Sequence, residues 1–457
     1  MMRALSLAEL QLPLDGQLMG SDASFTEVFT DSRQVVDGGL FVALVGDNFD
    51  GNDYVGQVGD AGAVAALVSR PCDAAIPQLQ VLDTGRALGK LGAFNRDLYP
   101  GPLVAITGSS GKTTAKNLVN GVLSQRGTTL ATDGNFNNEI GVPLTLLRLS
   151  PEHQFAVVEM GAAKQGDIAW LCELGRPSVS VLLNAMPAHL ESFGSLDGIV
   201  RTKGEIFDAL GAGDTAVINA DQSWSAGWRE RAGKANILDF SLRGTAEAAI
   251  CATDVQSLGV AGTRFGAVTP AGPIEVQLQL PGEHNVANAL AAIAVGLACE
   301  LDLDEIKAGL ESVTPVAGRL STIRAANGAV VIDDCYNANP GSARAAIDTL
   351  VASEGRGALV MGAMRELGDD SPAMHRELGQ YAREAGVEKF WGVGAELQVA
   401  VEAFGAGARW FADCEQAAEE APTAFGNGDT VLIKGSRGAR MERVLKALVP
   451  DESGKGS

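Results

Sequence analysis

The stretch LVAITGSSGKTT, residues 103–114, decides how the rest of the chain is read. A short apolar run ends in Gly108-Ser109-Ser110-Gly111-Lys112-Thr113-Thr114, and AKNLVNGVL continues with helical spacing. A buried strand that enters a glycine-rich loop and then a helix lets backbone N–H groups converge on phosphate oxygens, and the helix N-terminus adds its positive end. In that reading Lys112 brings charge to the β- and γ-phosphates and Thr113 offers a hydroxyl to Mg2+. The pattern is not a full GxxxxGK[ST], because the position of its first glycine falls on Ile106. A glycine turn followed by a surface lysine is the plainer alternative, and the strand before and helix after weigh against it.

Outward from that loop, apolar runs recur between Ala-rich helical stretches: FAVVEM (155–160), SVSVLLN (178–184), TAVINA (215–220), GAVVIDD (328–334), GALVMGA (357–363) and DTVLIKG (429–435). Continuous apolar strands alternating with helices predict parallel sheets covered on both faces, so the class is α/β. At 457 residues the chain exceeds what one core supports. Turn-forming LYPGP (98–102) and VTPVAGR (313–319) divide it into 1–84, a central phosphate-loop unit 85–314 and a doubly wound, Rossmann-like unit 315–457, with both turns as hinge regions. The Ala-rich run 287–299 is too short and too polar to cross a bilayer and predicts a buried helix. DESGKGS at the end reads as a disordered tail.

Composition narrows the function classes. Lys+Arg 35 against Asp+Glu 56 leaves a net charge of −21, which repels nucleic-acid backbones and anionic lipid over most of the surface. Hydrophobic residues at 46% support packed cores, and six scattered cysteines without a CxxC pair argue against a zinc ribbon or a disulfide framework. MMRALSLAELQLPL lacks the uninterrupted apolar stretch of a signal peptide. A cytoplasmic, monomeric protein with no nucleic acid and no membrane insertion is expected.

Several polar residues follow predicted strands, at the edge where α/β sheets bind ligands. Glu159 ends FAVVEM and is either a metal or water ligand or the first solvated residue. His189, in NAMPAHLESFGS, is by itself more often a packed or capping side chain than a ligand. Lys203 in RTKGEIF and Arg319 read alone as surface cations. His284, Asn285 and Asn288 read as the capped, polar start of the Ala-rich helix, and Asp333-Asp334-Cys-Tyr-Asn337-Ala-Asn339-Pro340 as a strand-to-helix loop. The residues alone support a Mg-nucleotide-dependent α/β enzyme.

Taken as a spaced series, DSR (31–33), GGLFVALVGDNFDGNDYV (38–55), TGSSGKTT, GNFNNEIGVPLTLL (134–147), Glu159, NAMPAHLESFGS, Lys203, GEHNVANALAA, Arg319, DDCYNANPGS (333–342) and KGSRGARMERV (434–444) resemble the Mur ligase family. The family's TGxxGKT loop accounts for the missing glycine at Ile106. The resemblance implies an ATP- and Mg2+-dependent enzyme that forms an amide through an acyl phosphate in peptidoglycan precursor synthesis. Among family members, the segments NNEIGVPLTLL, PAHLESFGS, DDCYNANPxS and KGSRGARMERV imply the ligase whose substrates are UDP-N-acetylmuramoyl-tripeptide and D-alanyl-D-alanine. A relative that adds a single amino acid and a binding-only nucleotide sensor are the rival readings. Carried over by position, the resemblance implies that Gly108 to Thr114 hold ATP phosphates, and that Thr113, Glu159, His189 and a carbamylated Lys203 hold metal. It further implies Asn288, Asn337 and Asn339 toward the adenine, Arg319 near the phosphates, Asp334 near the ribose, and Asn137 or Asn138 on phosphate. Ser32 and Arg33 fall to the UDP-sugar, and Lys434, Ser436 and Arg437 to the incoming dipeptide or a peptide carboxylate. Asn52, where relatives often carry histidine, and Arg440, where a small residue is expected, depart from the pattern.

Overall fold

A computed structural model describes residues 2–187, 190–244 and 248–450. Three main sheets follow one another along the chain. The first has five strands in the spatial order Gln17–Met19, Gln78–Gln80, Ala65–Val68, Leu40–Val42, Val28–Phe29, parallel except at its first pair. After it comes helix Thr84–Asp97, started by Asp83, whose carboxylate accepts the Arg86 N–H at 2.9 Å. This helix serves two units. Ala87, Leu88 and Leu91 pack in the core of the first sheet, while Asn95 donates to the carbonyls of Leu146 and Leu149 at 2.9 and 3.0 Å.

The central sheet has nine strands, in the order Thr129–Ala131, Phe155–Glu159, Leu103–Thr107, Val179–Leu182, Thr215–Asn219, Asn236–Ser241, Ile250–Ser257, Thr263–Thr269, Gly272–Leu278. Its first seven strands run parallel, and the last three form antiparallel hairpins. Those hairpins were not legible as apolar runs. Thr263–Thr269 and Gly272–Leu278 alternate buried and exposed residues, the period of a sheet wet on one face. Register does the functional work: Ile106 lies opposite Glu159 and Thr107 opposite Leu182, so the loops after all three strands leave the sheet along one edge.

The phosphate-loop helix, Lys112–Leu123, is wedged between this sheet and the helices Glu283–Ala298 and Leu303–Glu311. The Ala-rich helix is buried, as its composition predicts, but it begins before the polar cluster. Its N-cap is Gly282, at φ +93°, so His284, Asn285 and Asn288 lie inside it rather than capping it. The helices touch closely at Gly309, where a Cβ would sit 2.4 Å from Val122 Cα. Neither backbone can yield without moving the helix that carries the phosphate loop. Gly309→Ala is expected to cost roughly 1–3 kcal/mol as an overpacked contact, a fall of several degrees in Tm for a unit of this size. Scanning calorimetry that finds an unchanged midpoint refutes the close-contact account.

The third sheet runs Ser321–Arg324, Val330–Asp334, Asp429–Lys434, Arg356–Gly362, Lys389–Val393, Ala408–Phe411, parallel after the first antiparallel pair. Helices cover both faces over two separate apolar clusters, the doubly wound arrangement. No helix among the described residues is long and apolar enough to cross a membrane. The reading of residues 451–457 as a tail lies outside the described residues.

Candidate functional site

The phosphate loop is held from three sides. Gly111 caps the following helix at φ +82°, a left-handed conformation that suits glycine, and a Cβ there would stand 2.7 Å from Asn288 Oδ1. Asn184, just past the strand Val179–Leu182, accepts the Ser110 N–H at 3.0 Å and donates to the Ser110 carbonyl at 3.1 Å. The Ser109 hydroxyl donates to the Met186 carbonyl at 3.0 Å. Lys112 folds back to donate to the Gly108 carbonyl at 2.9 Å. Burial pushes its ammonium below the usual lysine value, Glu159 opposes that fall, and Arg319 adds to it.

Glu159 is 2% exposed, which settles the sequence ambiguity against a solvated strand end. Its carboxylate accepts from the Thr113 hydroxyl at 2.8 Å and from the Asn137 amide at 2.7 Å. Its backbone N–H donates to the Thr132 hydroxyl at 3.0 Å. Lys203 comes from helix Leu196–Gly204 and is 3% exposed, not the surface cation its sequence surroundings suggest. Burial brings its pKa down to about 7, helped by repulsion from Lys112 and resisted by Asp167, Glu205 and Glu159. An amine with so lowered a pKa is uncharged in a substantial fraction near neutrality, and the uncharged form is the nucleophile that reacts with CO2 to give a carbamate.

Across the cleft, the third sheet supplies the opposing wall. Asp334 and Lys434 are register partners at the ends of neighbouring parallel strands, and Lys434 Nζ donates to the Asp334 carboxylate and to the Asn337 carbonyl, the latter at 2.9 Å. Burial raises the Asp334 carboxyl above its usual value while Lys434 pulls it down. The Arg319 guanidinium lies over the Tyr336 ring, 4.2 Å from its centroid. Asn339 caps helix Pro340–Val351, accepting the Ser342 N–H at 2.8 Å, so its side chain is already committed within the loop. His284 faces the same space, and burial beside Lys434 lowers its pKa to about 4.

These groups meet in one cavity of about 750 Å³. Gly108 through Thr114, Asn137, Asn138, Glu159, Lys203 and Asn288 line it from the central unit, and Arg319, Asp334, Asn337, Asn339 and Lys434 from the C-terminal one. A second cavity, of about 520 Å³, shares Ser109, Thr113, Arg319, Asn337 and Asn339 with the first and adds Ser436 and Arg437. Ser32 and Arg33 line neither; Arg33 is exposed and pairs with Asp31 at 2.8 Å. His189 lies outside the described residues. Asn52 is buried, donating to Asp50 and to Ser69 at 2.6 and 2.8 Å, so an amide completes that position. Arg440 takes a left-handed φ of +53°, the conformation a smaller residue accommodates more readily. Sequence reasoning missed Asn184, Arg365 and Glu366, although each stands just past an apolar strand, the same signal that singled out Glu159.

The donors present suit a hard divalent cation. Thr113 and Glu159 offer a hydroxyl and a carboxylate, and a carbamate on Lys203 adds a second anion, leaving the remaining positions to phosphate oxygens and water as Mg2+ prefers. Among the described residues no cluster of three His, Cys, Asp or Glu forms an all-protein metal cage.

Comparison with known proteins finds relatives over nearly the whole chain. Residues 106–296 match the Mur ligase middle domain, and residues 318–437 match the Mur ligase, glutamate ligase domain. The chain is 43% identical over 449 residues to the UDP-N-acetylmuramoyl-tripeptide--D-alanyl-D-alanine ligase of Escherichia coli (strain K12), spanning 98% of this chain and 99% of that one. A crystal structure of MurF from Acinetobacter baumannii superposes with a TM-score of 0.92 at 37% identity, covering 98% of this chain and 99% of that chain. The MurF ligase of Thermotoga maritima in complex with ADP superposes with a TM-score of 0.83 at 30% identity, over 92% and 96% of the two chains.

Proposed function

The chain belongs to the Mur ligase family, and we infer that it is the ATP-dependent ligase that joins D-alanyl-D-alanine to UDP-N-acetylmuramoyl-tripeptide, giving the pentapeptide precursor of peptidoglycan. The observation that carries this reading is the single cavity in which the phosphate loop, Glu159 and Lys203 face Arg319, Asp334 and Lys434 from the neighbouring unit. A carboxylate has no leaving group, so amide formation needs it activated first. The tripeptide carboxylate attacks the γ-phosphorus of ATP, ADP leaves, and the acyl phosphate that forms is attacked by the dipeptide amine, which expels phosphate.

Each residue has a part in that sequence. The loop Gly108 to Thr114 aligns the phosphates for in-line displacement, and Lys112 neutralises charge between the β- and γ-phosphates. Thr113, Glu159, His189 and a carbamylated Lys203 would hold Mg2+, which would supply charge stabilisation at the transferred phosphoryl group. Arg319 approaches the phosphates, Asp334 the ribose, and Asn288, Asn337 and Asn339 the adenine side. Asn137 ties the phosphate site to Glu159, and Asn138 lines the same wall. Lys434, Ser436 and Arg437 face the incoming dipeptide, and Ser32 and Arg33 grip the UDP-sugar. We assign residues 1–84 to the nucleotide sugar, 85–314 to ATP and 315–457 to the dipeptide, in a cytoplasmic, monomeric enzyme whose units close to keep water from the acyl phosphate.

The test is phosphate release from ATP and Mg2+ with UDP-N-acetylmuramoyl-tripeptide, comparing D-alanyl-D-alanine, single amino acids and no amine, with mass detection of product. Release that requires the dipeptide and yields the pentapeptide mass is the expected result. Release with a single amino acid instead moves the assignment to a sibling enzyme, and nucleotide binding without release under any amine overturns the ligase reading.

A further inference from the structure

The two cavities differ in charge in a way that orients a substrate. Among the described residues lining the smaller one, Glu366 is the single acidic side chain, set among Arg319, Arg365 and Arg437. Glu366 lines both cavities, as do Ser109 and Thr113 of the phosphate loop, and so belongs to their junction, whereas Arg365 and Arg437 line only the smaller one. A dipeptide is a zwitterion, with an ammonium at one end and a carboxylate at the other. Its nitrogen must reach an acyl carbon held beside the γ-phosphate position, so the ammonium belongs at the junction and the carboxylate away from it. Resting on the ligase reading above, we propose that the loop Ala363–Leu367 reads both ends of the acceptor, Glu366 docking its ammonium at the junction and Arg365, with Arg437, its carboxylate beyond.

The loop is built to hold that pair. Glu366 takes φ +63°, a left-handed conformation uncommon for a side-chain-bearing residue, and such strain persists where the surroundings enforce it. The Met364 N–H donates to Nε2 of buried His375 at 3.0 Å, and His375 Nδ1 donates to the Ser371 carbonyl at 2.8 Å. The Arg365 N–H donates to the Ser436 hydroxyl at 2.9 Å, and the Ser436 N–H returns to the Ala363 carbonyl at 3.0 Å. Just past Glu366, the Gly368 N–H donates to Glu191 of the central unit at 3.3 Å, which keeps the loop against the phosphate side. Gly438 leaves the room in which the Arg365 guanidinium lies, since a Cβ there would come 2.7 Å from Cζ.

The proposal is tested by steady-state kinetics of the full chain at saturating ATP and UDP-N-acetylmuramoyl-tripeptide, using D-alanyl-D-alanine and its C-terminal amide as acceptors. Glu366→Gln is expected to raise KM about tenfold or more for both acceptors, the scale of a hydrogen bond to a charged group partly screened by water, while KM for ATP stays within about twofold. Glu366→Asp, which keeps the charge, recovers part of the loss. Arg365→Ala is expected to raise KM for the dipeptide by a similar factor and leave KM for the amide unchanged, because the amide has no carboxylate to lose. Both side chains are exposed, so the variants keep the fold. Equal effects of Arg365→Ala on the two acceptors, or no effect of Glu366→Gln on either, overturn the assignment. Failure of the ligase reading looks different, since the unsubstituted protein then makes no pentapeptide at all.

Discussion

Replacing Lys112 by alanine is expected to lower the rate of ATP-dependent product formation by about a thousandfold, with the melting temperature held or raised. The size follows from what the ammonium faces: charge that builds on the transferred phosphoryl group, where one preorganised donor is worth about 10²–10³ and a cation on a phosphoryl group can be worth more. The stability expectation follows from the same burial. Lys112 has a lowered pKa and, among the described residues, donates to the Gly108 carbonyl four residues back on its own loop, so its removal takes away a poorly solvated charge rather than a link between elements. Rate, Tm and nucleotide affinity measured on one preparation separate these effects. A loss under tenfold contradicts the assigned role, and a collapse in Tm shows that the lysine holds the loop together instead.

Lys203→Met is the second large effect, expected to reduce turnover about a hundredfold or more, with Lys203→Arg failing to restore it because a guanidinium stays charged and does not add CO2. Wild-type protein equilibrated with 13C-labelled bicarbonate is expected to show one carbamate resonance that Lys203→Met lacks. The same side chain leaves a mark on stability when CO2 is excluded. Its folded-state pKa of about 7 lies below the ordinary lysine value of 10.5. Across that window the unfolded chain binds a proton that the folded one does not, so the penalty for burying this ammonium, full below about pH 7, is relieved progressively as pH rises to 10.5. Lys203→Met removes that slope. Identical pH dependence of unfolding in the two proteins sinks the buried-amine account, and full activity in the variant sinks the carbamate.

What could be read from the residues follows from how locally each feature is encoded. Seven of the parallel strands, LVAIT and FAVVEM among them, are contiguous apolar runs that stand out before any folding is considered, as does the glycine-rich loop that follows the first of them. The hairpins over residues 250–278 are as regular in the structure but alternate polar and apolar residues, which a search for continuous apolar strands passes over. Lys203 illustrates the other limit. Its helix exposes Arg201 and buries Lys203, and nothing within RTKGEIF says which way the turn faces until the sheet is in place. Glu366 has a signal of its own, a strand-end position, yet its value depends on Arg365, Ser436 and a cavity assembled from residues far apart in sequence. Family resemblance gave Arg319 and Asp334 ligand roles where the residues alone read as a surface cation and a strand-to-helix loop, and gave Lys434 one where DTVLIKG marked only a strand.

Helix Thr84–Asp97 bears on how such enzymes can be recombined. Its apolar side completes the first core through Ala87, Leu88 and Leu91, its polar side is bonded to the carbonyls of Leu146 and Leu149, and Leu147 returns into the first core from the central unit. A chimera that takes its N-terminal segment from a relative and joins it just before Thr84 therefore splits one apolar surface between two ancestries. A junction placed within Tyr99–Pro102 keeps the helix with the strands it covers, and moves the seam where the parents must agree to contacts such as Gly92 against Pro143, Gly89 against Trp170, Asn95 against its two carbonyls and Leu147 in the first core. Shuffling of nucleotide-sugar recognition among these ligases is thus constrained less by the segment exchanged than by the single helix that has to fit both partners at once.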